Sequence, residues 1–237
     1  MTVNPLPDAL YVHAASLPAS ANHYVLWLDV MGVQSIMARS LPISANFIFK
    51  FHSAALVTKP AGVELYPVMD GLYAVSTNQV DIKQFMRDVL ETLARLFIDA
   101  AQDKHRFVVR GGLAYGPLIR GSALVAACAP TLAQQPAYAG TLLLGMPVIQ
   151  AHLGEREAPP FGIFVNESAR AFAPASTFPF NEIWWSWFDP THHQLAVTLR
   201  TALLTYLDWC TSHAGPIAYE PARIVAHRAM VQQYLPT

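Results

Sequence analysis

Apolar positions recur along this chain with two periods, and the switches between them mark out its elements. Val25-Leu26-Trp27-Leu28 is a continuous apolar run that reads as a buried strand over 24–29, closing on Asp29. Helical spacing follows over 33–57, where Pro42 forces a break or a fresh start. Val63, Leu65 and Val68-Met69, then Leu72, Tyr73 and Val75, read as two strands joined at Asp70-Gly71, a strong hairpin signal. Over 81–103, Phe85, Val89, Leu93, Leu96 and Phe97 share one helix face, with Asp81 placed to cap it.

Beyond Phe107, "FVVRGGLAYGPLIRGS" reads as strand, turn, strand, and 122–140 as irregular loop. A helix starts after Gly145, "GIFVNESARAF" is a strand entering a helix, and "NEIWWSWFDP" is a short aromatic strand ended by Pro190. Helical spacing returns over 191–213 and about 219–235, while 1–22 wraps loosely or adds a short edge element. This alternation predicts an α/β fold, an α+β sandwich with helices packed on a mostly antiparallel sheet. With no linker or repeat visible, the expectation is one domain over 1–237, with a core at about 24–190 and a helical extension at 191–237.

Composition narrows the classes. Of the 237 residues 53 % are hydrophobic and only 13 % charged, against about 25 % in typical soluble domains. So few charges imply that part of the surface is covered, for instance by a dimer partner. A net charge of −1 argues against nucleic acid and against a polybasic membrane anchor, and no run matches the roughly 20 apolar residues of a membrane helix. Cys128 and Cys210 form no ligand pair, which fits a reducing cytoplasm.

Hydrolase elbows, P-loops, HExxH and CxxC are absent, and the His192-His193 pair reads as solvated. A pair of acids remains. Asp29 closes a strand and Asp70 sits at a hairpin tip. Each has a plain reading, as a helix N-cap and as turn chemistry. If the first strand lies beside the hairpin, however, both carboxylates reach one sheet edge, where Mg²⁺ or Mn²⁺ would relieve their repulsion and favour phosphoryl chemistry. The glycine-containing turn after Asp29 suits an anion, and Arg110 would either clamp a phosphate or pair with a helix acid.

The segments "LWLDVMG", "YPVMDGLYAVS", "VVRGGLAYGPLIRG" and "LLLGMPVIQAHLGERE…PPFGIFVNESA" come in the order seen in the class III nucleotidyl cyclase catalytic domain. Over about 24–170 the chain resembles most the small bacterial pyrimidine cyclases of Pycsar anti-phage systems. The resemblance implies a βαββαβ core and a head-to-tail homodimer with active sites at the interface. It implies two Mg²⁺ or Mn²⁺ ions on Asp29, Asp70 and the Val30 carbonyl, a triphosphate cradle at Met31, Gly32 and Val33 through Ser35, and a phosphate contact from Arg110. The product would be a 3′,5′-cyclic nucleotide that activates a separate effector. Tyr66 stands where adenylate cyclases carry a base-reading lysine, and Leu142 near their base-reading acid. This favours a pyrimidine, UTP before CTP. Ile149 and Leu153 fall where the purine enzymes place an asparagine and an arginine. Gln150, His152, Arg156 or a partner's Arg120 are candidates to stand in. A non-catalytic nucleotide-binding or dimerisation domain, and a plain α/β interaction protein, are the alternatives.

Overall fold

Strand β1 (Ala21–Val30) forms the middle of the sheet, and its alternation explains the layers around it. In the computed structural model, which describes residues 17–125, 133–171, 180–214 and 219–237, both faces of β1 are covered. Leu26, Leu28 and Val30 enter the main core, whereas Val25 and Trp27 join a smaller cluster with Val75, Ala114, Leu118 and Ala151. Burial on two sides is why the run is apolar throughout rather than alternating. Asp29 continues the Val25–Trp27 face.

After β1 come α1 (Val33–Met37) and α2 (Leu41–Thr58), β2 (Glu64–Val68), β3 (Gly71–Ser76), α3 (Gln79–Ile98) and β4 (Val109–Arg120). These strands lie in the antiparallel order β2-β3-β1-β4, a βαββαβ arrangement. Beyond β4 follow β5 (Leu143–Leu144), α4 (Met146–Gly154), β6 (Ile163–Val165), β7 (Trp184–Trp185), α5 (His193–Ser212) and α6 (Pro221–Tyr234). β6 pairs parallel to β4 and β7 antiparallel to β6, which widens the sheet to seven strands with β5. The α/β class is as expected. Helices α2, α3, α5 and α6 share the main core through Phe47, Phe85, Leu203 and Ile224, and α4 covers the other face of β4 and β1. Among the described residues no helix is long and apolar enough to cross a membrane.

Several sequence expectations need correction. The hairpin turns at Met69-Asp70 rather than Asp70-Gly71: Met69 carries the positive φ of 54°, and Gly71 already belongs to β3. The glycine is needed for closeness instead, since a Cβ there would meet the Trp27 ring at 2.4 Å. Asn78, not Asp81, caps α3, its side chain accepting from the Val80 N–H at 2.8 Å. "VRGGLAYGPLIR" is one strand rather than two, because ten of its residues ladder against β1. Helical spacing over 33–57 resolves into α1 and α2, with Pro42 in the first turn of α2. Part of 122–140 is single helical turns at Gly121–Leu124 and Pro136–Ala139; 126–132, with Cys128, lie outside the described residues, as do 1–16. His192 is not solvated: its imidazole lies 2.7 Å from Asp189 and 3.1 Å from Glu91.

Gly112 sets the depth of α4. A Cβ there would sit 2.2 Å from the Ala151 carbonyl and 2.8 Å from the Glu155 N–H, both backbone atoms. Gly112→Ala should therefore lift α4 and lower stability by about 1–3 kcal/mol, read from urea denaturation.

Candidate functional site

β1 runs out at a rim where the sheet ladder itself gathers charged residues. Asp29 lies in register with Gly71 on one side and with Arg110 on the other. Asp70 directly precedes Gly71, so the hairpin carries the second carboxylate to the flank of the first. Both acids line one cavity of about 690 Å³. Because β1 lies beside the hairpin, the condition on which the sequence reading depended, the ladder sets Asp29 and Asp70 on one rim. The N-cap alternative for Asp29 does not hold, since it lies within β1 and Gly32 occupies the cap of α1.

Burial, then the negative charges of Asp70 and Glu155, push the Asp29 carboxyl up to about 7; the Arg110 charge and the Val30 N–H offset part of this. Among the described residues, the charges that bear on Asp29 are the acids Asp70 and Glu155 and the Arg110 guanidinium. That guanidinium is already committed: Arg110 Nε donates to Glu155 Oε1, and its terminal nitrogen donates to the Arg156 carbonyl at 3.3 Å. The helix-acid alternative for Arg110 is thus what the structure contains, with Glu155 as the acid. Only 7 % of the Glu155 side chain is exposed.

The turn after β1 forms one wall. Gly32 adopts a left-handed φ of 75°, which suits glycine. Met31 N–H donates to the Val108 carbonyl at 2.8 Å and ties the turn to β4. The first turn of α1, from Val33 to Ser35, lines the cavity without a side-chain cap. Asp103, Lys104 and Arg106 form the next wall; Arg106 donates to Asp103 at 2.6 Å and to the Phe97 carbonyl at 3.2 Å.

The far wall was not anticipated. Tyr206 and Trp209 of α5, with Tyr219, Arg223 and His227 of the C-terminal segment, line the same cavity. Helical periodicity announces α5 and α6, but nothing in it says where they dock. His152 and Arg156, two of the proposed stand-ins, also line the cavity. Tyr66 does not: it stands on β2, outside the cavity wall, donating its hydroxyl to Glu64 at 2.7 Å, and Glu64 in turn pairs with Arg120.

Among the described residues no group of three or more His, Cys, Asp or Glu side chains forms a metal cage. A half-buried acid pushed up by desolvation and then by its acidic neighbours nonetheless suits a hard divalent cation. Mg²⁺ commonly takes one or two carboxylates and completes its shell with water and substrate phosphates. The donor set at Asp29 and Asp70 fits such an ion.

No family model matches the chain, and no curated protein does. Among solved structures it is similar to the monomeric guanylyl cyclase domain of the RhoGC fusion protein from the aquatic fungus Blastocladiella emersonii, at 17 % identity over 64 % of this chain and 85 % of that one, with a TM-score of 0.46. The catalytic core of a rhodopsin-guanylyl cyclase with converted specificity, in complex with ATPalphaS, gives 15 % identity over 64 % and 80 %, at a TM-score of 0.43. A class III adenylyl cyclase-like ATP-binding protein from Pseudomonas aeruginosa gives 10 % identity over 94 % of this chain and 46 % of that one, at a TM-score of 0.40. At such scores the likeness carries no functional weight.

Proposed function

We propose that the chain is a nucleotidyl cyclase that converts UTP, with CTP second, into the 3′,5′-cyclic monophosphate and pyrophosphate. One observation carries this reading: two carboxylates far apart in sequence line one cavity, and burial and mutual repulsion raise Asp29 to about 7. In the reaction the ribose 3′-oxygen bonds to the α-phosphorus, its proton leaves to solvent, and the bond to the β-phosphate oxygen breaks.

Asp29, Asp70 and the Val30 carbonyl are the groups that would hold two Mg²⁺ or Mn²⁺ ions, which supply charge stabilisation at the phosphoryl oxygens and a more acidic 3′-hydroxyl. The Met31–Ser35 turn borders the polyphosphate. Arg110, held by Glu155, presents its guanidinium at a set place rather than searching for it. The choice of UTP, and a role as a second messenger for a separate anti-phage effector, follow the sequence resemblance.

A homodimer belongs to the same proposal. Met146, Ile149 and Leu153 make an outward stripe on α4 at helical spacing, each more than half exposed, with Val68 and Met69 also exposed at the hairpin. Such a face suits a second copy and accounts for the scarcity of charge.

Among separate incubations with each of the four NTPs and Mn²⁺, the UTP sample should yield cyclic UMP, and Asp70→Ala should abolish it. No cyclic product from any NTP removes the proposal. A non-catalytic nucleotide-binding domain is the second reading, favoured by the engagement of Arg110 with Glu155. Tight triphosphate binding without turnover selects it.

A further inference from the structure

Three of the guanidiniums that line the cavity differ in how far they are committed. Arg110 is held by Glu155 and the Arg156 carbonyl, and Arg106 by Asp103 and the Phe97 carbonyl. Pulling either onto a ligand would strand a partner. Arg223 is in a different state. Among the described residues its only ion pair is with Glu220 at 3.6 Å on the same helix end, and the two side chains are 72 % and 66 % exposed. A pair this open is worth little and exchanges readily for a better anion.

The helix that carries Arg223 is nevertheless fixed. Ile224 and Val231 of α6 are buried in the main core, so the backbone position is set and the long side chain is the moving part. Arg223 also faces the right surroundings. Its charge and that of Arg110 both bear on His227 and Tyr219, which are joined by a hydrogen bond and line the cavity. Two guanidiniums thus bear on this flank, Arg223 balanced only by its exposed partner Glu220, which a bound anion could replace. The turn at 31–35 borders the same space.

We propose that Arg223 leaves Glu220 and grips the polyphosphate of the bound nucleotide, supplying a mobile cation from the C-terminal helix of the same chain. The C-terminal extension is on this view part of the binding site, and a guanidinium suits the task because its planar fork meets phosphate oxygens two at a time. The inference rests on the reading of the cavity as a nucleoside triphosphate site.

Calorimetric titration with inorganic tripolyphosphate in excess Mn²⁺ tests it without requiring turnover. Arg223→Ala should weaken binding by about 10–100-fold and Arg223→Lys by less, as for loss of a charge-assisted bond. Glu220→Gln, which releases the arginine, should tighten binding about two- to fivefold, in line with the small value of an exposed pair. The ligand-free melting temperature of all three variants should match that of the parent, because neither side chain is buried. Equal tripolyphosphate affinity in the parent and Arg223→Ala overturns the role of Arg223 and leaves the cavity reading standing. Failure of the parent itself to bind tripolyphosphate overturns both.

Discussion

Asp29→Asn should make the metal-free protein more stable at pH 8 while abolishing nucleotide cyclisation. The carboxyl titrates near 7 in the folded chain, against about 4 when unfolded. A group that binds its proton more tightly when folded destabilises the fold as it ionises. Metal-free stability should thus fall as pH rises from about 4 to about 7 and level off above. Asparagine keeps the shape and removes the charge, so at pH 8 it should recover about 2–4 kcal/mol and flatten that pH dependence. The same substitution removes a donor oxygen from the cation site. The stabilisation of the parent by Mn²⁺ at pH 8 should disappear in the variant, and turnover should fall by more than about a hundredfold. Urea melts at pH 5 and pH 8, with and without Mn²⁺, read all of this. An Asp29→Asn protein less stable than the parent at pH 8 would show that the rim tolerates its three acids without a cation.

The opposite sign is expected at Arg110. Arg110→Met leaves Glu155, which is 6 % exposed, as an unpaired buried carboxylate and should cost about 3–5 kcal/mol. Arg110→Met with Glu155→Gln removes both charges and should recover most of that loss, because the penalty lies in the stranded acid rather than in the missing attraction. The double variant then separates structure from chemistry. If it is folded and binds Mn²⁺–UTP tenfold or more weakly than the parent, Arg110 contacts phosphate as well as Glu155. If its affinity is unchanged, the pair serves only to hold α4 against β4.

The two acids also illustrate how far local pattern reaches. An apolar run ending on Asp29 identifies a strand with a carboxylate at its end, and Asp-Gly between apolar segments identifies a hairpin with Asp70 at its turn. The order of these elements predicts only helices on a mostly antiparallel sheet; the βαββαβ core is what the family resemblance implies, and the pairing of β1 with β3 in the structure is what sets both acids on one rim. The turn falls one residue earlier, at Met69-Asp70, and Gly71 instead lies against the Trp27 ring. Local turn chemistry carries no information about a side chain arriving from a neighbouring strand.

By itself, then, the amino-acid order determined β1, the β2–β3 hairpin, α3 and the helical character of α5 and α6, since periodicity and turn preference act within a few residues. Only the tertiary structure decided that β4 is one strand, that Arg110 faces a glutamate 45 residues away, and that the C-terminal segment lines the cavity holding Asp29 and Asp70. Those outcomes depend on which surfaces meet. The energy that selects them, burial and charge pairing across the sheet, exists only once segments remote in the chain are in contact.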